Sequence, residues 1–107
     1  MDLGQLARAL GVFATLDPIE FPLHRAQLLL EVAKGGQRGR TYGDLEDALS
    51  LTNGSVSRSV ASLSEVNRHG QAGYRLVETV KDPDQPRRYR VRLTPRGRAL
   101  LRQLETL

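Results

Sequence analysis

Residues 41–63, TYGDLEDALSLTNGSVSRSVASL, read as two short helices joined by a tight turn. Thr41 stands where an N-cap belongs, because its hydroxyl can accept the amide hydrogen three residues on. The spacing behind it predicts a helix Tyr42–Leu49 with Leu45, Ala48 and Leu49 inward. Ser50-Leu51-Thr52 forms the turn, and Thr52 caps a second helix running to about Val66. Val56, Val60 and Leu63, four and three apart, are its inward residues. Two helices so joined are a helix-turn-helix. At about 100° per residue from Val56, Gly54, Arg58, Ala61 and Glu65 point outward, flanked by Ser55, Ser57 and Ser62. A helix that enters a major groove needs small or hydrogen-bonding side chains there, since bulk would hold its backbone off the bases. The Glu/Lys pairs that brace an ordinary solvent-facing helix are missing. The start of the helix, Thr52-Asn53-Gly54, brings a positive dipole end suited to phosphate. Taken alone, a serine-rich helix reads equally well as a solvated face.

Downstream, Leu76–Val80 is β-branched and reads as a strand, and Arg88–Leu93 alternates strictly. Tyr89, Val91 and Leu93 point one way, while Arg88, Arg90 and Arg92 point the other. The loop between them, Lys81–Arg87, holds two prolines and makes a hairpin with a basic tip. Thr94-Pro95 opens a last helix, with Leu100, Leu101, Leu104 and Leu107 at helical spacing. Upstream, Leu3, Leu6, Ala7, Leu10, Phe13, Ala14 and Leu16 predict a first helix over 3–16. A second, about Pro22 to Lys34, turns Ala26, Leu29, Leu30 and Ala33 inward. The glycines of residues 35–39 lack the strand before and the Lys-Ser/Thr after that a phosphate loop requires, and read as a connection.

The predicted class is mainly α with a small β-hairpin: a winged helix-turn-helix of about five helices and a two- to three-stranded antiparallel wing. A chain of 107 residues holds one core, so residues 1–107 are expected to be a single domain. With 39% hydrophobic and 26% charged residues it has a globular composition. The absence of cysteine excludes disulfides, thiolate nucleophiles and cysteine-zinc sites. No secretory signal or membrane-length apolar run is visible, which predicts a cytoplasmic location and no membrane partner. The net charge of +4 is unevenly placed. Residues 1–50 carry five basic side chains against seven acidic, and residues 51–107 eleven against five. Fourteen of the sixteen basic residues are Arg, whose planar fork suits phosphates and guanine edges. A basic half points to an anionic polymer, although a solubilising surface explains the excess equally well.

The stretch TYGDLEDALSLTNGSVSRSVASL followed by LVETVKDPDQPRRYRVRLTPRGRALL resembles the MarR family of winged-helix transcription regulators over roughly Pro22 to Leu104. Its most specific parts are SVSRSVASL and the RVRLTPRG junction. The resemblance implies a homodimer that reads a pseudo-palindromic operator in double-stranded DNA. Ser55, Ser57 and Arg58 match recognition-helix positions, and Arg87 or Arg88 matches the wing. Some members of that family respond to small anionic or phenolic effectors. The sequence departs from the family pattern in a longer segment Asn67–Arg75, in the wing order DPDQPRR and in a last helix that stops at Leu107.

The expected DNA-contacting set is therefore Thr52, Asn53, Gly54, Ser55, Ser57, Arg58 and Ser62 on a recognition helix of about residues 53–66, with Lys81, Arg87 and Arg88 on a wing of residues 81–88. The helices of residues 3–16 and 95–107 are expected to supply a dimer interface through Leu3, Leu6, Leu10, Leu100, Leu104 and Leu107, unless these stripes merely close the monomer's core. His24 and His69 read as ordinary surface residues. With no diagnostic triad or paired carboxylates, neither an enzyme, a metal site nor a cofactor is expected. The alternative to a DNA reader is a winged helix that docks on a transcription or replication protein.

Overall fold

Four side chains set the helix starts. Asp2, Thr41, Thr52 and Thr94 each accept the backbone amide three residues on, from Gln5, Asp44, Ser55 and Gly97. At Asp2 and Thr41 the third residue reciprocates, closing capping boxes. The computed structural model describes residues 1–17, 19–64 and 73–107. Along these the elements are α1 (Leu3–Ala14), α2 (Leu23–Lys34), β1 (Arg40–Thr41), α3 (Tyr42–Leu49), α4 (Asn53–Leu63), β2 (Val77–Lys81), β3 (Tyr89–Leu93) and α5 (Pro95–Glu105). This is a winged helix-turn-helix: α3 packs on α4, both pack on α2, and a three-stranded antiparallel sheet follows in the order β1-β3-β2. Arg40 lies opposite Val91, and Thr79 opposite Val91 from the other side, so the central strand is paired on both edges.

The core is one cluster. Leu28, Leu29 and Val32 of α2, Leu45 of α3, Val56, Val60 and Leu63 of α4, and Leu76, Val77 and Val91 near or in the sheet are all buried. Burying each such side chain is worth about 1.5–3 kcal/mol. Two glycines are demanded by close approach. A Cβ on Gly39, whose φ is +81°, would collide with the Val91 carbonyl, and one on Gly97 would collide with the Leu76 carbonyl. Gly97 thereby lets α5 press onto the root of the wing.

Several boundaries and faces differ from expectation. The first helix stops at Ala14 instead of Leu16, where the Thr15 hydroxyl donates to the Val12 carbonyl. Of its predicted inward stripe only Phe13 is buried, because the face carrying Leu6 and Leu10 lies beyond the monomer's core. In α2, Pro22 is the N-cap and the buried residues are Ala26, Leu28, Leu29 and Val32. Leu30, expected inward, is exposed: it stands about 200° around the helix from Leu28. Ala48 is exposed too, as Leu45 alone of α3 reaches full burial.

Helix α4 ends at Leu63, short of the Val66 expected of a recognition helix, because the returning chain takes its last carbonyls. The amides of Tyr74, Arg75 and Leu76 donate to Ser62, Ser64 and Leu63. Glu65, Val66, His69 and most of the segment Asn67–Arg75 lie outside the described residues. Strand β2 runs one residue later than expected, and β3 opens at Tyr89, since Arg88 still belongs to the turn.

Candidate nucleic-acid interface

One side of α4 is committed to the core and the opposite side is open. Val56, Ser59, Val60 and Leu63 are buried, while Thr52, Asn53, Gly54, Ser57 and Arg58 are exposed and Ser55, Ala61 and Ser62 are half-buried. The Thr52 hydroxyl accepts the Ser55 amide at 3.1 Å and fixes the first turn. Arg58 donates from Nη2 to Ser55 Oγ at 3.3 Å, so its guanidinium folds back along the exposed face toward the N-terminal end. That places the one cationic fork of the described helix beside the positive end of its dipole. The combination offers donors to phosphate and to base edges on a surface without bulk.

The wing is organised by a residue that the sequence pattern did not single out. Asp82 is 2% exposed. Its carboxylate accepts the Asp84 amide at 2.9 Å, Arg88 Nε at 2.9 Å and Arg90 Nε at 3.1 Å. Its own amide donates to the Arg88 carbonyl at 2.8 Å, and the Arg88 amide to Gln85. The backbone bond from Asp84, with those from the two guanidinium groups, holds its carboxyl at about 2, well below the ordinary carboxylate range. The order Asp82-Pro83-Asp84 carried the signal: an Asp that accepts the amide two residues on is an Asx-turn.

This arrangement decides which wing cations are available. Arg88 and Arg90 are held by Asp82, Arg92 pairs with Glu78 across the strands at 2.8 Å, and Arg38 reaches from the α2–β1 connection to Asp84 at 2.6 Å. Arg90 also donates to the Gly39 carbonyl at 3.2 Å and is mostly buried, so the arginine side of β3 is a bonded layer and not the free surface that alternation suggests. Among the described residues, Lys81 and Arg87 are exposed and make no ion pair. Of the expected wing contacts, then, Lys81 and Arg87 are presented to solvent, while Arg88 is turned to the loop's own carboxylate.

A profile described as a winged helix DNA-binding domain matches residues 24–97. The chain belongs to that family. The winged helix spans α2 to the start of α5 and includes both exposed elements just described. No curated protein matches the sequence. Among solved structures, MepR of S. aureus in a DNA complex shares the fold with a TM-score of 0.71 and 20% identity, over 96% of this chain and 72% of that one. BpsR of Bordetella bronchiseptica, whose DNA binding is regulated by 6-hydroxynicotinic acid, follows at 0.65 and 20%, over 98% and 72%. RV1404 of Mycobacterium tuberculosis matches at 0.70 and 20%, over 94% of this chain and 61% of that one. At such identities the likeness establishes a shared winged-helix fold.

The residues expected at a dimer interface divide into two groups. Leu3, Leu6 and Leu10 on α1 are 84%, 44% and 49% exposed, and Leu104 and Leu107 are half-buried beside them. Gln5 joins the two ends by donating from its side chain to the Leu107 carbonyl at 3.2 Å. Leu100 belongs to the monomer's core. No helix among the described residues is long and apolar enough to cross a membrane, and none of them form a cluster of three or more metal-ligating side chains.

Proposed function

We propose that this winged helix is a MarR-type transcription regulator that binds a pseudo-palindromic operator as a homodimer in the cytoplasm. The observation that carries the reading is the division of α4 into a buried apolar side and an exposed side holding Ser57 and Arg58, with Lys81 and Arg87 presented on the neighbouring wing. Thr52, Asn53, Gly54, Ser55, Ser57, Arg58 and Ser62 enter the major groove, and Arg58 makes the base contact. Lys81 and Arg87 lie on the adjoining minor groove or its phosphates. Leu3, Leu6, Leu10, Leu104 and Leu107 meet their copies across the two-fold axis, which sets two recognition helices about one turn of DNA apart, roughly 34–36 Å. The DNA complex of MepR and the small-molecule control of BpsR support a regulator of this type that answers to an effector.

The test is selection of bound duplexes from a random pool at physiological salt, followed by an anisotropy titration of the winner. Recovery of an inverted repeat with half-sites about one helical turn apart supports the reading. Weak binding that is indifferent to sequence favours a protein-docking module and sinks it.

A further inference from the structure

The first turn of α4 carries a dipeptide with a chemistry of its own. Asn53 and Gly54 follow the cap residue Thr52, and all three are exposed. An asparagine carboxamide and the amide nitrogen of the next residue can close a five-membered ring, and a glycine there leaves the nitrogen open to approach. In a helix interior that nitrogen is engaged by the carbonyl four residues back. The second position of a helix has no such partner. Among the described residues the Gly54 amide and the Asn53 side chain make no hydrogen bond, whereas Ser55 donates to the Thr52 hydroxyl at 3.1 Å and Val56 to the Thr52 carbonyl at 3.0 Å.

Two further features favour ring closure. Arg58 folds back over this turn: its Nη1 stands 3.3 Å from where a Cβ on Gly54 would be, and its Nη2 donates to Ser55 Oγ at 3.3 Å. A guanidinium so placed stabilises negative charge on the glycine nitrogen and on the oxygen of a tetrahedral adduct. The turn also opens readily, since Asn and Gly are poor helix formers and the Thr52 hydroxyl is the side chain that caps it. Opening is required, because side chains of a closed helix tilt toward its N-terminus, away from the nitrogen that follows.

We propose that Asn53-Gly54 is a self-modifying site that disarms the exposed end of α4 in chains not held on DNA; the effect on binding rests on the DNA-reading function above. The Gly54 nitrogen attacks the Asn53 carboxamide carbon, and a carbon–nitrogen bond forms as the bond to the side-chain nitrogen breaks. That nitrogen leaves as ammonia, taking the Gly54 amide proton with it, and a succinimide remains. One water then opens the ring at either carbonyl to give aspartate or isoaspartate, with no oxidant or reductant involved. Either product sets a carboxylate at the helix end that faces phosphates and base edges, and isoaspartate also lengthens the backbone of the first turn by a methylene. A duplex seated on that end keeps the turn closed, so bound chains are spared and free chains age.

The full chain is held without DNA in mildly alkaline buffer at physiological temperature and followed by peptide mass mapping. Asn53 should convert to a mixture of aspartate and isoaspartate, while Asn67, the chain's other asparagine, is followed by Arg68 and should stay intact far longer. Thr52→Ala, which uncaps the first turn, should speed conversion about fivefold. Gly54→Ala, which stiffens the turn and crowds the nitrogen, should slow it about tenfold. An excess of the selected operator should slow the unaltered chain by about tenfold. Asn53→Asp should bind that operator about tenfold more weakly than the unaltered chain. An Asn53 that stays an amide, a rate indifferent to Thr52→Ala, equal ageing with and without bound operator, or undiminished operator affinity in Asn53→Asp each overturn the proposal. The mass map needs no DNA, so a chain that converts at Asn53 but binds no duplex fails the DNA-reading function and not the chemistry.

Discussion

Helices α1 and α4 each present a face that the monomer's own core does not cover, and the two faces are opposite in chemistry. On α4 the outer side holds Ser57, Arg58 and the cap residue Thr52, and its polar groups find water or each other. On α1 the outer side holds Leu3, Leu6 and Leu10, which water solvates poorly. An uncovered polar face is cheap to keep, whereas a contiguous apolar one favours association. One chain therefore displays two faces that its own core leaves open, one polar with a cation and the other apolar.

That contrast can be broken most sharply at α1. Leu6→Glu combined with Leu10→Glu should convert a dimer to a monomer in sedimentation velocity. Operator affinity should then fall by about a hundredfold, because the second half-site loses its tether. The melting temperature of the monomer should change little, since both side chains are about half exposed. A double variant that stays dimeric breaks the comparison.

On α4, Arg58→Ala should cost about 1–3 kcal/mol against the selected operator, and much less against random duplex. Equal losses on both would reassign Arg58 to phosphate. The wing offers a finer contrast. Arg87→Ala should weaken all sequences alike and lower the slope of log affinity against log salt by about one. Arg88→Ala should lower that slope by less than Arg87→Ala, because its guanidinium is held by the Asp82 carboxylate that it shares with Arg90. Salt titrations of the two variants side by side decide it.

The smallest effect is one of pH. A carboxyl whose folded pKa lies below its unfolded value stabilises the fold above the unfolded value and loses that contribution as pH falls through the folded one. With Asp82 at about 2, the wing should be indifferent to pH from neutrality to about 5 and should loosen between about pH 4 and pH 2. Amide shifts of residues 82–90 should report that window, and Asp82→Asn should abolish it.

Much of this architecture was legible in the residues themselves. Thr41, Thr52 and Thr94 mark their helices through local hydroxyl-to-amide bonds that need no tertiary context. The alternation of β3 put Val91 on the side away from the arginines, where it is buried while Tyr89 stays exposed, and the four-and-three spacing of Val56, Val60 and Leu63 told the inner side of α4 from the outer. What stayed hidden was what each face meets. Periodicity shows that Leu6, Leu10 and Phe13 share a side of α1, but only Phe13 finds the core, because the helix runs past its edge. Arginines alternating along β3 resemble a free cationic surface until the folded loop brings Asp82 beneath them. The expected end of α4 failed for a similar reason, since the carbonyls that stop it are claimed by residues 74–76, eleven to thirteen positions further along the sequence.

The fit of Gly97 against the Leu76 carbonyl has a mechanical consequence. Thr94 stitches the same spot by donating its amide to Leu76 and its hydroxyl to the Arg75 carbonyl. Backbone is seated on backbone there, with the Leu93 side chain packed alongside. The final helix and the base of the β-ribbon are thereby fixed to each other, backbone against backbone.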